Sequence, residues 1–284
     1  MPSIDVQLHV EESGHGEPVI LLHGFPEFSA CWRHQLPALA AAGFHAIAPD
    51  LRGYNLSDRP RGVKNYRTNE LVSDIVALIR KLPGGKAHIV GHDWGGVLAW
   101  RLAAQHPELV NKLVVLNAPH PAAYLRTLKR NPIQWLRSWY VLFFQLPWLP
   151  ERLIRSRNFA LLERAWKKDP VTAGAYTDEE IARYKEALGR PGALTAAINY
   201  YRAALRWSGD LYGKPQSVSA LTLLIWGERD RYLGLDLTEG LEEWIPDLQL
   251  ILILGASHWV QNDVPEIVNR LLVDFLAGSA QGHS

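Results

Sequence analysis

The stretch His88-Ile89-Val90-Gly91-His92-Asp93-Trp94-Gly95-Gly96-Val97-Leu98-Ala99-Trp100 decides the fold of this 284-residue chain. Its first three residues are a short apolar run suited to a buried strand, and the last four open a helix. Between them, Gly91, Gly95 and Gly96 flank one acidic side chain. Small residues at this spacing let strand and helix pack tightly while the central side chain is thrust out of the turn, the arrangement called a nucleophile elbow, G-x-Nuc-x-G. Here the central residue is Asp93. Taken alone, the motif reads more simply as an aspartate capping the helix that begins at Trp94.

Working outward, short apolar runs recur at Val19 to Leu22, Ala46 to Ala48, Leu113 to Leu116, Leu221 to Trp226 and Leu248 to Leu254. Being continuous rather than alternating, they predict strands buried on both faces of a parallel sheet. Helical spacing lies between and after them: Leu71, Ile75, Leu78 and Ile79 follow Thr68 or Asn69 as the expected cap, and Ile267, Leu271 and Phe275 follow Pro265. Strand alternating with helix predicts a doubly wound α/β sheet, which binds ligands beyond the carboxyl ends of its strands. The alternation stops from about Ala122 to Gly213. That stretch holds seven of the ten tyrosines, five of the eleven tryptophans and 15 Lys plus Arg against 8 Asp plus Glu. It predicts an inserted helical unit, 122–212, in a core made of 1–121 and 213–284.

The whole chain has 30 Lys plus Arg against 29 Asp plus Glu, a formal charge of +1, and no nucleic-acid motif accompanies the basic insert. No nucleic-acid partner is expected. An apolar share of 48% with 21% charged residues excludes a disordered or collagenous chain. No run approaches the roughly 18 apolar residues of a membrane span. The start, Met1 to Asp5, has no basic flank before an apolar stretch, and Cys31 has no partner for a disulfide. A cytoplasmic chain is the expectation. The tail from Gly278 to Ser284 reads as disordered.

Two later segments raise the importance of Asp93. The run ending at Trp226 leads into Gly227-Glu228-Arg229-Asp230, and the run ending at Leu254 leads into Gly255-Ala256-Ser257-His258-Trp259. An acid and a histidine thus follow at successive strand ends, in the order nucleophile, acid, histidine. Asp230 as a turn residue, or one chance hit among eleven histidines, is unremarkable; all three places matching is not. After the first apolar run comes His23-Gly24-Phe25-Pro26, where the backbone N–H of Phe25 could join that of Trp94 in an oxyanion hole.

Together with Gly53-Tyr54-Asn55-Leu56-Ser57, these motifs resemble the epoxide hydrolases of the α/β-hydrolase fold, over nearly the whole chain from Val19 to Phe275. The resemblance implies a mostly parallel doubly wound sheet with a helical cap, an aspartate nucleophile, and two cap tyrosines that hold the epoxide oxygen. Tyr140, within Ser138 to Gln145, matches the first tyrosine, and Tyr201, before Arg202, matches the second in preference to Tyr200. The same segments put Leu142, Phe144, Trp259 and Pro26 against substrate. Asn55 stands where the family has glycine, and asparagine tolerates the left-handed backbone required there.

The residue types explain the implied chemistry. A carboxylate with a pKa near ~4 is ionised without help, so it can attack a saturated carbon while the histidine is held for a second step. An epoxide supplies that carbon and a ring oxygen that becomes an alkoxide, which two neutral phenols can protonate. His258, oriented by Asp230, would then activate water against the Asp93 ester. The expected partners are a small hydrophobic epoxide and water, and no metal or organic cofactor has a role.

A haloalkane dehalogenase is the rival enzyme, but such enzymes have asparagine where this chain has Phe25 and need no tyrosine pair. Asn117, where some of them carry the acid, is uncharged. A serine esterase would need a hydroxyl at position 93, and a non-catalytic binding protein of this fold would be expected to have lost a triad member. The apolar run from Tyr140 to Pro150 is open to four readings: cap core, substrate channel, membrane contact or homodimer contact.

Overall fold

In a computed structural model, which describes residues 6–213 and 217–278, the six apolar runs and one further edge strand form a seven-stranded sheet. Its strands are β1 (Val10–Ser13), β2 (Glu17–Leu22), β3 (Phe44–Pro49), β4 (Ala87–His92), β5 (Val110–Leu116), β6 (Leu221–Gly227) and β7 (Leu248–Ile253). The spatial order is β1-β3-β2-β4-β5-β6-β7. Every pairing is parallel except that of β1 with β3. The readings of residues 1–5 and of the tail beyond Gly278 lie outside the described residues.

Apart from that of β7, each apolar run is continuous because helices cover both faces of the sheet. Around β2, Ile20 and Leu22 face a core built with α2 (Thr68–Arg80) and α3 (Trp94–Gln105), while Val19 and Leu21 face one built with α1 (Gln35–Ala41) and α12 (Pro265–Ala277). All four side chains are fully buried. Each contributes roughly 1.5–3 kcal/mol, so a Leu21→Ala change would cost about 2–5 kcal/mol.

Between β5 and β6 the described residues are helical: α4 (Pro121–Arg130), α5 (Pro132–Arg137), α6 (Trp139–Phe143), α7 (Leu149–Lys168), α8 (Asp178–Gly189), α9 (Ala193–Arg206) and α10 (Ser208–Tyr212). α7 is interrupted at Ser156–Phe159, where Arg157, Asn158 and Phe159 take positive φ. α8 starts on a reciprocal pair of bonds between Thr177 and Glu180, which satisfies two otherwise free amides. A short α11 (Val260–Asp263) precedes α12. No helix among the described residues is long and apolar enough to cross a membrane.

One strand was not predicted and three expectations need correction. β1 carries Glu11 and Glu12 and is half solvated, so it gives no apolar run to read. β7 is the opposite edge of the sheet, and Leu250, Ile251 and Leu252 are 36–43% exposed rather than buried on both faces. Neither Thr68 nor Asn69 caps α2: the chain enters from extended Arg67 and no side chain bonds the first amides. In α12 the fully buried row is Val268, Leu272 and Leu276, one position beyond the one predicted, and Ile267 is exposed.

Candidate active site

The site begins where β4 ends. Asp93 has φ 50° and ψ −120°, a conformation that costs a non-glycine residue of order 1–3 kcal/mol, and its side chain does not cap α3. The turn can be this sharp only because its neighbours lack side chains. A Cβ on Gly95 would fall 2.0 Å from the carbonyl oxygen of Leu22, and one on Gly24 would fall 2.4 Å from Asp93 Oδ1.

The Phe25 amide donates to Asp93 Oδ1 at 2.7 Å, and the Trp94 amide also supports the charged form. Oδ2 lies 3.8 Å from Nε2 of His258. On the other side of the ring, His258 Nδ1 donates to Asp230 Oδ2 at 2.7 Å. Asp230 is held on all sides, its Oδ1 accepting from the amides of Tyr232 and Leu233 and its Oδ2 also from Asn117 Nδ2 at 2.8 Å. Asn117 in turn accepts from the Gly227 amide, which ties the end of β5 to that of β6.

Burial raises the pKa of Asp93, with the His258 charge and the Phe25 and Trp94 amides opposing it. For His258, burial lowers the pKa, but the Asp230 charge, the Asp230 hydrogen bond and Asp93 outweigh it and bring it to about 9. In the resting site His258 is therefore an imidazolium between two carboxylates. Tyr140 and Tyr201 are pushed well above the usual phenol value by burial and by the Asp93 charge, so both remain neutral donors.

Two cavities meet at these residues, each lined by Asp93, Tyr140 and Tyr201. One continues past Trp94, Val141, Leu205 and Tyr212; the other continues past Pro26, Phe144, Trp259 and His258. The tyrosine rings are 5.8 Å apart. Tyr200 points elsewhere: its hydroxyl donates to the Arg52 carbonyl inside the core. Leu142, expected against substrate, is 55% exposed and lines neither cavity. It follows Tyr140 by two residues, about 200° around a helix, whereas Phe144 follows by four and shares its face.

Behind His258 is a buried cluster that the motifs do not announce. His92 Nε2 donates to the His258 carbonyl at 2.8 Å, and Gln261 Nε2 donates to His92 Nδ1 at 3.2 Å and to Glu27 Oε2 at 3.3 Å. Tyr176 donates its hydroxyl to Glu27 Oε1 at 2.7 Å. Burial raises Glu27 to about 7, against the opposing Tyr176 bond. The one sequence signal for Glu27 was its place directly after Pro26. Among the described residues no group of three or more His, Cys, Asp or Glu is placed to hold a metal ion.

Residues 17–264 match the family model of the alpha/beta hydrolase fold. The chain is 42% identical over 273 residues to the AB hydrolase superfamily protein YfhM of Bacillus subtilis, covering 95% of this chain and 94% of that one. It is 37% identical over 274 residues to epoxide hydrolase 4 of Homo sapiens, covering 94% of this chain and 75% of the relative. The chain belongs to the epoxide hydrolase family of the α/β-hydrolase fold. A crystal structure of the Bacillus megaterium epoxide hydrolase with an inhibitor superimposes with a TM-score of 0.87 at 32% identity, over 96% of this chain and 97% of that one. An epoxide hydrolase fold thus accounts for both the strand order and the helical stretch between β5 and β6.

Proposed function

We propose that the protein hydrolyses small apolar epoxides to vicinal diols in two steps, with Asp93 as nucleophile. The support is one relationship: a carboxylate held through one oxygen by the Phe25 amide, on a residue that lines two cavities together with Tyr140 and Tyr201. In this reading residues 122–212 act as a cap over a core of 1–121 and 213–284.

In the first step Asp93 Oδ2 attacks an epoxide carbon. The carbon–oxygen bond of the ring breaks, and the departing oxygen takes a proton from Tyr140 or Tyr201, leaving an alkyl ester on Asp93. The imidazolium of His258 is beside the site and supplies positive charge while the alkoxide forms. Once Asp93 is esterified its charge is gone, which removes one of the influences that hold the His258 proton. His258 then loses its proton more readily and can take one from water.

That water attacks the carbonyl carbon of the ester. The oxyanion forms on Oδ1, already bound by the Phe25 amide and close to that of Trp94, and each such donor is worth about 3 kcal/mol in comparable sites. Asp230, fixed by four hydrogen bonds, keeps the imidazole aligned and stabilises its charge. Collapse expels the substrate oxygen, which takes its proton from His258 to complete the diol. The Asp93 carboxyl then passes its remaining proton to His258, and the proton that His258 gave up before this step returns to the tyrosine that protonated the ring oxygen. The partners are a hydrophobic epoxide and water, and the setting is the cytoplasm, where the buried free thiol of Cys31 stays reduced.

A single turnover in ¹⁸O-water with enzyme in excess tests the scheme. The diol should be unlabelled and the label should appear in the peptide carrying Asp93; labelled diol on that turnover defeats the ester route. Assaying halide release from a bromoalkane alongside distinguishes the dehalogenase reading.

A further inference from the structure

The outer surface of α5, α6 and the first half of α7 combines bulky apolar side chains with charges of a single sign. Trp135, Leu136, Trp139, Leu142, Leu146 and Trp148 are 45–74% exposed. Scattered single exposures are ordinary, but six within fourteen positions, three of them tryptophan, are not. The exposed charged side chains on the first half of α7 are Arg152 and Arg155, with Arg157 just beyond, all cationic, whereas Arg130 on α4 shares a surface pocket with Asp236 and Glu239. The acid of this stretch, Glu151, is turned inward to Arg202 at 2.7 Å.

We propose that this face docks on an anionic lipid surface. Tryptophan and leucine enter the boundary between headgroups and acyl chains, and the exposed arginines of α7 meet the negative charge of the headgroups. A second copy of the chain fits less well, because a two-fold contact sets the same patch against itself and would bring the cations together without a counter-charge.

The face is also continuous with the interior. Trp139 and Leu161, 60% and 58% exposed, line the cavity that runs past Phe143, Phe144 and Ile154 to Asp93. An apolar epoxide dissolved in the bilayer would meet this mouth without crossing bulk water. That delivery rests on the function proposed above; the docking does not.

The test is sedimentation of the full chain, with no epoxide present, with vesicles of phosphatidylcholine alone and of phosphatidylcholine with about 30% phosphatidylglycerol, at about 0.1 M salt. Binding should be at least ~10-fold stronger to the anionic vesicles and fall severalfold as salt is raised. The double substitution Leu136→Glu with Arg155→Glu touches neither cavity and should lose ~10-fold in binding with an unchanged thermal melt. Equal binding to both vesicles, full binding by the double variant, or a dimer split by Leu136→Glu without vesicle binding would each overturn the proposal. Because no turnover is measured, failure here says nothing against the epoxide reading, and failure of that reading leaves the vesicle result standing.

Discussion

Nε2 of His258 stands 3.8 Å from Oδ2 of Asp93, outside hydrogen-bonding distance but close enough for the two charges to attract. The carboxylate is thereby steadied without being engaged, and it stays available to a substrate carbon. The same spacing leaves the imidazole beside any ester formed there. Removing the ring should thus slow the first step only through the loss of its charge and block the second. In His258→Ala, mixing with styrene oxide should give a protein heavier by the mass of one epoxide on intact mass spectrometry, with ester hydrolysis slowed at least ~100-fold. Turnover at the parent rate would remove His258 from the mechanism.

The two steps should respond to pH in the same direction through different groups. Ester formation needs ionised Asp93, whose pKa is raised by burial, so its rate falls as pH drops through that value. Ester hydrolysis needs neutral His258, which stands at about 9 in the resting site and lower once Asp93 is uncharged. Its rate should rise with pH and level off below 9. Single-turnover measurement of adduct formation and decay from pH 5 to 10 checks both limbs. A decay rate flat across that range would show that the base is another group.

Tyr140 and Tyr201, with rings 5.8 Å apart, line both cavities beside Asp93. One phenol should partly replace the other. Either change to phenylalanine alone should slow adduct formation modestly, and the pair together should slow it by ~100-fold or more. Unaltered adduct formation in the double variant would mean that the leaving oxygen is protonated elsewhere.

Glu27 should make the fold pH-sensitive. Its folded value, about 7, lies above the ordinary 4.5, so the neutral form is favoured by folding. Stability from this group is fully present below about pH 4.5 and is lost as pH rises through about 7, a swing on the order of 3 kcal/mol. Glu27→Gln should flatten the fall in melting temperature between pH 5 and 8 relative to the parent. A slope equal to that of the parent would show that the carboxyl is not its source.

Legibility in the sequence followed the range of the interactions. The elbow at Asp93 is written in adjacent glycines, and Asp230 and His258 follow apolar runs, so each could be found locally. β1 was hidden because a solvated antiparallel edge strand with two glutamates lacks the continuous pattern of a buried one. Leu142 was misplaced because an apolar run in a short helix does not reveal which of its faces turns inward. The Glu27 cluster was out of reach: its partners Tyr176 and Gln261 are 149 and 234 positions away, and only the folded chain brings them together.

The close approach at Gly24 and Gly95 divides the protein for anyone wishing to evolve new selectivity. Below the substrate the seat of Asp93 is made of main chain at distances that no added atom can enter, so diversity introduced there would yield mostly unfolded clones. Above it the wall consists of side chains such as Val141, Phe144 and Leu205, which can be exchanged without disturbing that seat. Libraries should leave the floor untouched and recast the ceiling.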